Sequence, residues 1–242
     1  MELAPRIHRV GEDMVNAYLL EDSGAFTLFD AGTPGYWDGL QQTLAGLGRS
    51  MEDIKAVVLT HGHDDHLGFA ERARQAGVPA RIHADDVALA KGDVANKVRV
   101  VGPYRFGPLV RFLWFFARHG AFRTPRLGEV TAFDDGATLD VPGAPRVIHV
   151  PGHTLGSVAF HVAAVDALFV GDSLNTLAVT NGRTGPRLSP FNHDRAQALE
   201  SLRRLEPVEA THVLPGHGAP WHLGVRAAVE AVRATEVERN LG

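Results

Sequence analysis

Seven side chains that bind metals well recur in this 242-residue chain where strands give way to loops. His61, His63, Asp65 and His66 fall inside one six-residue stretch, His61-Gly62-His63-Asp64-Asp65-His66. Neutral imidazole and carboxylate are good ligands for zinc, iron or manganese. One ion cannot readily take all four donors from so short a loop. Two neighbouring ions can, with His61 and His63 on one and Asp65 and His66 on the other. Each ion then needs a donor from elsewhere. Pro-Gly-His occurs twice, ending in His153 and His217, and Asp172 after Gly171 supplies a carboxylate able to bridge. Two divalent cations facing Asp65, Asp172 and a bridging hydroxide keep a residual positive charge, which draws a carbonyl or phosphoryl oxygen. A lone histidine at a strand end is most often structural or solvated, and Asp172 alone would read as a turn or cap residue. Seven such groups at strand–loop junctions are hard to explain by packing.

That chemistry is hydrolysis. Two cations lower the pKa of a shared water until hydroxide exists at neutral pH, and Asp65 can orient it and pass a proton to the leaving atom. Ligating imidazoles need an acceptor for the outer ring N–H; Asp30 is the first candidate and Thr60 the second.

The elements that must position these groups alternate. Ile7–Val10, Val15–Leu20, Ala25–Asp30, Ile54–Thr60 and Ala80–His83 read as strands, bounded by turn signals. Helices are expected over Tyr36–Leu47, where Leu40, Leu44 and Leu47 share a face, and over Leu67–Gln75. The second half repeats the pattern: strands Arg146–Val150, Ser157–Val162, Ala167–Val170 and Thr211–Leu214, a helix His193–Leu205 capped by Asn192, and a last helix Val225–Val237. His149 alternates away from the loop it precedes and reads as core, while His193 leans toward the site. Between the halves, residues 90–125 form a helical insertion in which Lys91, Lys97, Arg99, Arg105, Arg111, Arg118 and Arg123 face one acid, Asp93. Its helix, Pro108–His119, is apolar almost all round.

Composition closes off several classes. Lys and Arg total 24 against 28 Asp and Glu, a net charge of −4, so a nucleic-acid partner is not expected. With no cysteine there is no disulfide, thiolate ligand or cysteine nucleophile. No signal peptide and no apolar run long enough for a membrane span appears, so a cytoplasmic location is expected.

Thr60-His61-Gly62-His63-Asp64-Asp65-His66-Leu67-Gly68 resembles the HxHxDH signature of the metallo-β-lactamase superfamily. Pro151-Gly152-His153-Thr154, Gly171-Asp172-Ser173 and Pro215-Gly216-His217-Gly218 resemble its later metal motifs, in family order, and Asp30-Ala31-Gly32 its early Asp-x-Gly element. The likeness runs from about residue 7 to 222. It implies an α/β fold, a four-layer αββα sandwich, here one domain over residues 1–242 made of two similar halves. It implies two divalent ions, zinc first, with iron or manganese as alternatives. His61, His63 and His153 would hold the first ion, Asp65, His66 and His217 the second, with Asp172 bridging.

The expected enzyme is a dinuclear metallo-hydrolase of a small ester, thioester or lactone carrying an apolar acyl or aromatic group. The alternatives are an iron-dependent oxygenase or redox enzyme on the same scaffold, and a non-catalytic metal-binding protein. Asp172 argues against a true β-lactamase. The chain ends soon after His217, leaving no room for the C-terminal helical domain of glyoxalase II. Asn175 stands where quorum-quenching lactonases carry Tyr. The nuclease branches need a basic surface, which is not evident. The aromatic helix is read as a lid over an apolar pocket, as packing on its own sandwich, or as a homodimer contact; its two arginines leave a narrow polar face for a membrane surface. Arg183 and Arg187, in the loop after Asp172, are either solvated or in contact with an anionic substrate group.

Overall fold

In the computed structural model, which describes residues 2–97, 99–100 and 103–241, two β-sheets pack face to face. The first has seven strands, in the spatial order Glu2–Ala4, Ile7–Glu12, Val15–Asp22, Ala25–Phe29, Ile54–Val58, Ala80–His83 and Thr131–Phe133. Its first four strands run antiparallel, and the junctions from Ala25–Phe29 onward are parallel. The second sheet runs Arg146–His149, Val158–Val162, Ala167–Gly171 and His212–Pro215, with only the last pair parallel.

Period-two alternation builds the layers. Leu20, Phe29, Ala56 and Val58 point between the sheets, where they meet Val158, Phe160 and Phe169. Phe29 stacks on Phe169 with ring centroids 3.8 Å apart, and each such buried ring contributes about 1.5–3 kcal/mol. Leu19, Leu28 and Val57 point the other way, onto the helices Trp37–Gly46 and Ala70–Gln75. Ala159, Leu168 and Val170 face Ala198, Leu202, Ala228 and Val232 on the opposite side. The result is the expected αββα sandwich.

Parallel neighbours end side by side, and this is what gathers the site. Asp30, Thr60-His61 and Asp85-Asp86 follow three adjacent strands of one sheet. Asp172 and His217 follow two adjacent strands of the other. The sheets are pinned at this edge: Val158 N–H donates to Thr60 O at 2.9 Å, the Tyr18 hydroxyl to Pro215 O at 2.7 Å, and the Asn16 amide to Pro215 O and Gly218 O at 2.9 and 2.7 Å.

Several elements differ from the sequence expectation. Leu67–Gln75 is not one helix. A short turn, Asp64–Leu67, stops at Gly68, and Ala70–Gln75 begins anew. The helix expected from His193 starts at Arg195 with Asp194 as its cap, accepting from Gln197 N–H, because Asn192 lies in the short strand Phe191–Asn192 and its amide donates to Ser189 O. The insertion helix spans Phe106–Arg118, so Pro108 is its third residue, still within the first turn whose amides need no helical partner. Its end is tied to the ligand loop: the Thr124 hydroxyl donates to Asp64 O at 2.8 Å, and Arg126 pairs with Asp64 at 2.7 Å. Val98, Val101 and Gly102 of the insertion lie outside the described residues.

Gly68 has φ +21°, and a Cβ there would lie 2.0 Å from Gly32 O. That contact seats the Asp64–Leu67 turn on the Ala31–Gly32 loop, where Ala31 N–H donates to His66 O at 2.8 Å. Gly68→Ala is therefore expected to cost about 2–4 kcal/mol in urea denaturation. Gly77→Ala is the control, since Gly77 has φ +93° but open space around it, and its cost is about 1 kcal/mol. Equal losses would remove the steric argument.

Candidate metal centre

The structure brings all seven predicted donors to one edge of the sandwich. His61, His63 and His153 form one buried group, Asp65, His66 and His217 a second, and Asp172 lies with His61 and His66 between them. His153 Nε2 stands 3.1 Å from His61 Nε2 and 2.8 Å from His63 Nδ1. Asp172 faces both groups: Oδ2 is 3.5 Å from His153 Nε2 and 3.3 Å from His217 Nε2, and Oδ1 is 3.4 Å from His66 Nε2. Asp65 Oδ2 is 3.4 Å from His217 Nε2.

The outer ring nitrogens decide what the inner ones offer. The Thr60 hydroxyl gives its proton to Asp30, 2.8 Å from Oδ2, and so accepts from His61 Nδ1 at 3.0 Å. His66 Nδ1 donates to Asp30 Oδ2 at 2.8 Å, His63 Nε2 to Asn96 Oδ1 at 3.0 Å, and His217 Nδ1 to Met14 O. In its neutral form each of these four rings therefore turns a lone pair inward. His66 Nε2 and Asp172 Oδ1 are fully buried with no hydrogen-bond partner. Converging lone pairs and a buried, unpartnered carboxylate oxygen repel one another unless a cation sits among them. The donor set fits a pair of divalent ions.

Titration follows from burial and charge. Burial pushes His63 down to about 4, partly offset by Asp172, and His153 down to about 3, reinforced by His63. Burial, then His66, holds His61 well below the usual imidazole range. For Asp172, burial acts upward, but His217 and His153 outweigh it and hold the carboxyl well below the usual range. Burial would lower His66 and His217 too; instead the carboxylates of Asp30 and Asp65 for the first, and Asp172 for the second, raise both. Protons thus prefer the Asp65-side group in the metal-free protein, where a cation would replace them, and the His153-side group stays neutral.

Asp30 and Thr60 are both in the orienting shell, Asp30 taking His66, Thr60 N–H and the Thr60 hydroxyl together. Asp30 has φ +59°, a strained backbone state that aims its carboxylate at both partners. Asp86 is the residue the sequence left unmarked. Its buried carboxylate accepts from Gly62 N–H at 2.8 Å, Gly156 N–H at 2.8 Å and the Thr154 hydroxyl at 2.7 Å, joining the two loops that carry His61, His63 and His153. Burial pushes its carboxyl up against the pull of those bonds. Its position after the strand Ala80–His83, like Asp30 after its own strand, was the available signal. Ser189 also donates to Asp172 Oδ2 at 3.3 Å.

Other expectations are corrected. His149 is not core: it is half-buried and stacks on His83, with ring centroids 4.2 Å apart. With Asp85 that pair groups three donors, but parallel rings aim their lone pairs side by side rather than at a common point. Arg183 and Arg187 border a separate cavity of about 310 Å³ with Arg195 and Glu236, because the chain after Asp172 folds into a two-strand ribbon, Asn175–Leu177 with Thr184–Arg187. His193 is exposed and borders a side recess next to His153.

A cavity of about 190 Å³ opens over the donors. His63, Asp65, His153, Asp172 and His217 border it, and Phe112, Phe116, Phe122 and Phe191 wall it. The profile of the Metallo-beta-lactamase superfamily matches residues 10–217. The chain belongs to that superfamily. A probable metallo-hydrolase of Bacillus subtilis is 26% identical over 90% of this chain and 86% of its own length. A hydroxyacylglutathione hydrolase of Cereibacter sphaeroides is 29% identical over 85% of this chain and 66% of its own. A metallo-beta-lactamase family protein of Thermus thermophilus superposes with a TM-score of 0.71 at 25% identity, covering 98% of this chain and 81% of that one. A second solved structure, of a di-iron-bound form, gives 0.63 at 27% identity, covering 91% and 96%.

Two measurements check the site. In the metal-free protein, NMR titration of the imidazoles should find His63 and His153 neutral at pH 6, taking up protons only toward about 4 and 3. Either ring charged at pH 6 would contradict the burial argument. Asp86→Ala should weaken metal retention about 10- to 100-fold in chelator competition while the protein stays folded by circular dichroism; unchanged retention would reduce Asp86 to a structural link.

Proposed function

We propose that the chain is a dinuclear metal hydrolase of small neutral esters, thioesters or lactones with an apolar acyl or aromatic group. In this reading His61, His63 and His153 would hold one ion and Asp65, His66 and His217 the other, with the Asp172 carboxylate within reach of both groups. The observation that carries it is the cavity itself: polar donors on the floor, phenylalanines on the walls, and no Lys or Arg among its described lining residues. A phosphodiester would meet no cationic side chain there, whereas an acyl group meets four aromatic rings. The likeness to a hydroxyacylglutathione hydrolase, a thioesterase by its name, supports the same bond class.

When bound, the ions supply Lewis acidity and a water acidic enough to deprotonate near neutral pH. The chain supplies the rest. Phe112, Phe116 and Phe191 exclude water from the acyl group and strengthen electrostatics below it. Asp65, at the cavity surface, can hold a proton on its carboxylate and deliver it to the leaving oxygen or sulfur. Asp30 and Thr60 keep His66 and His61 turned inward through the cycle. The di-iron-bound structural relative supports iron beside zinc as the resident metal.

The test joins metal content to turnover. Elemental analysis should give about two metal equivalents per chain, and the loaded protein should cleave aryl esters, thioesters or lactones in preference to bis-p-nitrophenyl phosphate. Asp65→Ala should lower kcat by about 10²-fold or more. Iron with oxygen uptake would replace hydrolysis by oxidative chemistry. Silence across the panel, with Asp65→Ala indistinguishable from the parent, would leave a metal-binding protein without turnover.

A further inference from the structure

The helix Phe106–Arg118 divides its surface three ways. Phe112 and Phe115 are buried in the core beneath it. Phe106, Val110, Leu113 and Trp114, spaced along one helical face, remain 86%, 47%, 45% and 60% exposed. Arg111 and Arg118 occupy the strip between, with the Arg118 guanidinium 5.5 Å over the Trp114 ring. Exposed Tyr104 extends the apolar face toward the start of the helix.

We propose that this outward face docks on an anionic lipid surface. An exposed stripe of four large apolar side chains on one helix marks an interaction site. Aromatic rings beside arginines, with the apolar side outermost, are what an in-plane helix presents to the headgroup boundary. The narrow polar strip is no obstacle, because the third side of the helix is covered by the protein's own core and needs no water. Charge selects the occupant. Residues 90–125 hold seven basic residues and one acid in a chain of net charge −4. Lipid phosphates would neutralise Arg105, Arg111 and Arg118 while the acyl region takes Phe106, Val110, Leu113 and Trp114. A second copy of this chain fits less well: a two-fold contact on this helix would bring two sets of Arg111 and Arg118 together, and the helix carries no acidic residue to offset them. Among the described residues no helix is long and apolar enough to cross a membrane, so the attachment would be peripheral. It does not depend on which bond the metal site cuts.

Co-sedimentation of the metal-loaded full chain with vesicles tests it. Equimolar phosphatidylcholine and phosphatidylglycerol vesicles should retain the protein, pure phosphatidylcholine vesicles should retain far less, and high salt should weaken retention. Tryptophan emission should shift to the blue on binding. Phe106→Ser with Trp114→Ser should lower vesicle partitioning about tenfold or more, with metal content and melting temperature unchanged, since both side chains are exposed. Arg111→Glu with Arg118→Glu should abolish the preference for anionic vesicles. Absence of retention on either vesicle, or retention unchanged in the Phe106→Ser, Trp114→Ser variant, would overturn the proposal. So would a dimer in analytical ultracentrifugation that Trp114→Ser dissolves. Retention without hydrolysis of any soluble substrate would uphold the docking and count only against the reaction proposed above.

Discussion

The inward turn of buried imidazole lone pairs is the constraint from which the rest of this site follows. An imidazole left to itself rotates and chooses its tautomer. Here four of the five rings are fixed by an oxygen on the far side: Thr60 Oγ1 for His61, Asn96 Oδ1 for His63, Asp30 Oδ2 for His66 and Met14 O for His217. Each acceptor belongs to a different segment, so fixing the tautomers also fixes the relation of the segments. Asp30 shows the cost. Its backbone is held in a left-handed state, and its carboxylate is committed to three donors from two neighbouring segments.

The same constraint explains why the site lies where strands run parallel. Asp30, Thr60 and Asp86 follow three adjacent parallel strands, so their loops emerge on one side within hydrogen-bond reach of each other. An antiparallel arrangement would send alternate loops to the opposite end. The second sheet repeats the device with Asp172 and His217. Cross-sheet bonds from Asn16 and Tyr18 to the Pro215 segment then hold the His217 loop against the first sheet. Rigidity of the metal-binding edge thus comes from main-chain carbonyls paired with buried polar side chains as much as from the aromatic stack beneath.

Much of this was legible in the sequence because it is local. Alternating apolar residues mark nine of the eleven strands of the two sheets to within a few positions, while Glu2–Ala4 and Thr131–Phe133, three residues each at the edges of the first sheet, are too short to show a period; a run of four donors in six residues announces itself without a structure. Asp30 could be singled out because it ends a strand and opens the Asp30-Ala31-Gly32 element. Asp86 also follows a strand, but its role as a link exists only once the loops around residues 62 and 154–156 have come together, and no spacing along the chain encodes that. The break at Gly68 was hidden for a similar reason: apolar periodicity runs through it, and only the approach of Gly32 O shows why the helix must stop. For Arg183 and Arg187 the sequence left two readings, solvated or in contact with an anionic substrate group; a short β-ribbon turns them to a different cavity, with Arg183 exposed.

The insertion ties the chemistry of the cavity to the outer surface of the molecule. Phe112 and Phe116 wall the space over the donors while Phe106 and Trp114, on the same thirteen-residue helix, face outward. One element therefore separates the metal-binding edge from whatever covers the exposed face. Its two sides differ: Phe112 and Phe116 line the cavity, whereas Arg111 and Arg118 border the outward apolar face. Besides the burial of Phe112 and Phe115, hydrogen bonds and an ion pair hold this wall near its ends, through Arg126 and Thr124 to the Asp64 turn and through Arg105 N–H to Thr180 O at 3.1 Å. Movement of the helix would thus be transmitted first to Asp64 and its neighbour Asp65, the carboxylate to which the proposed reaction gives the proton transfer.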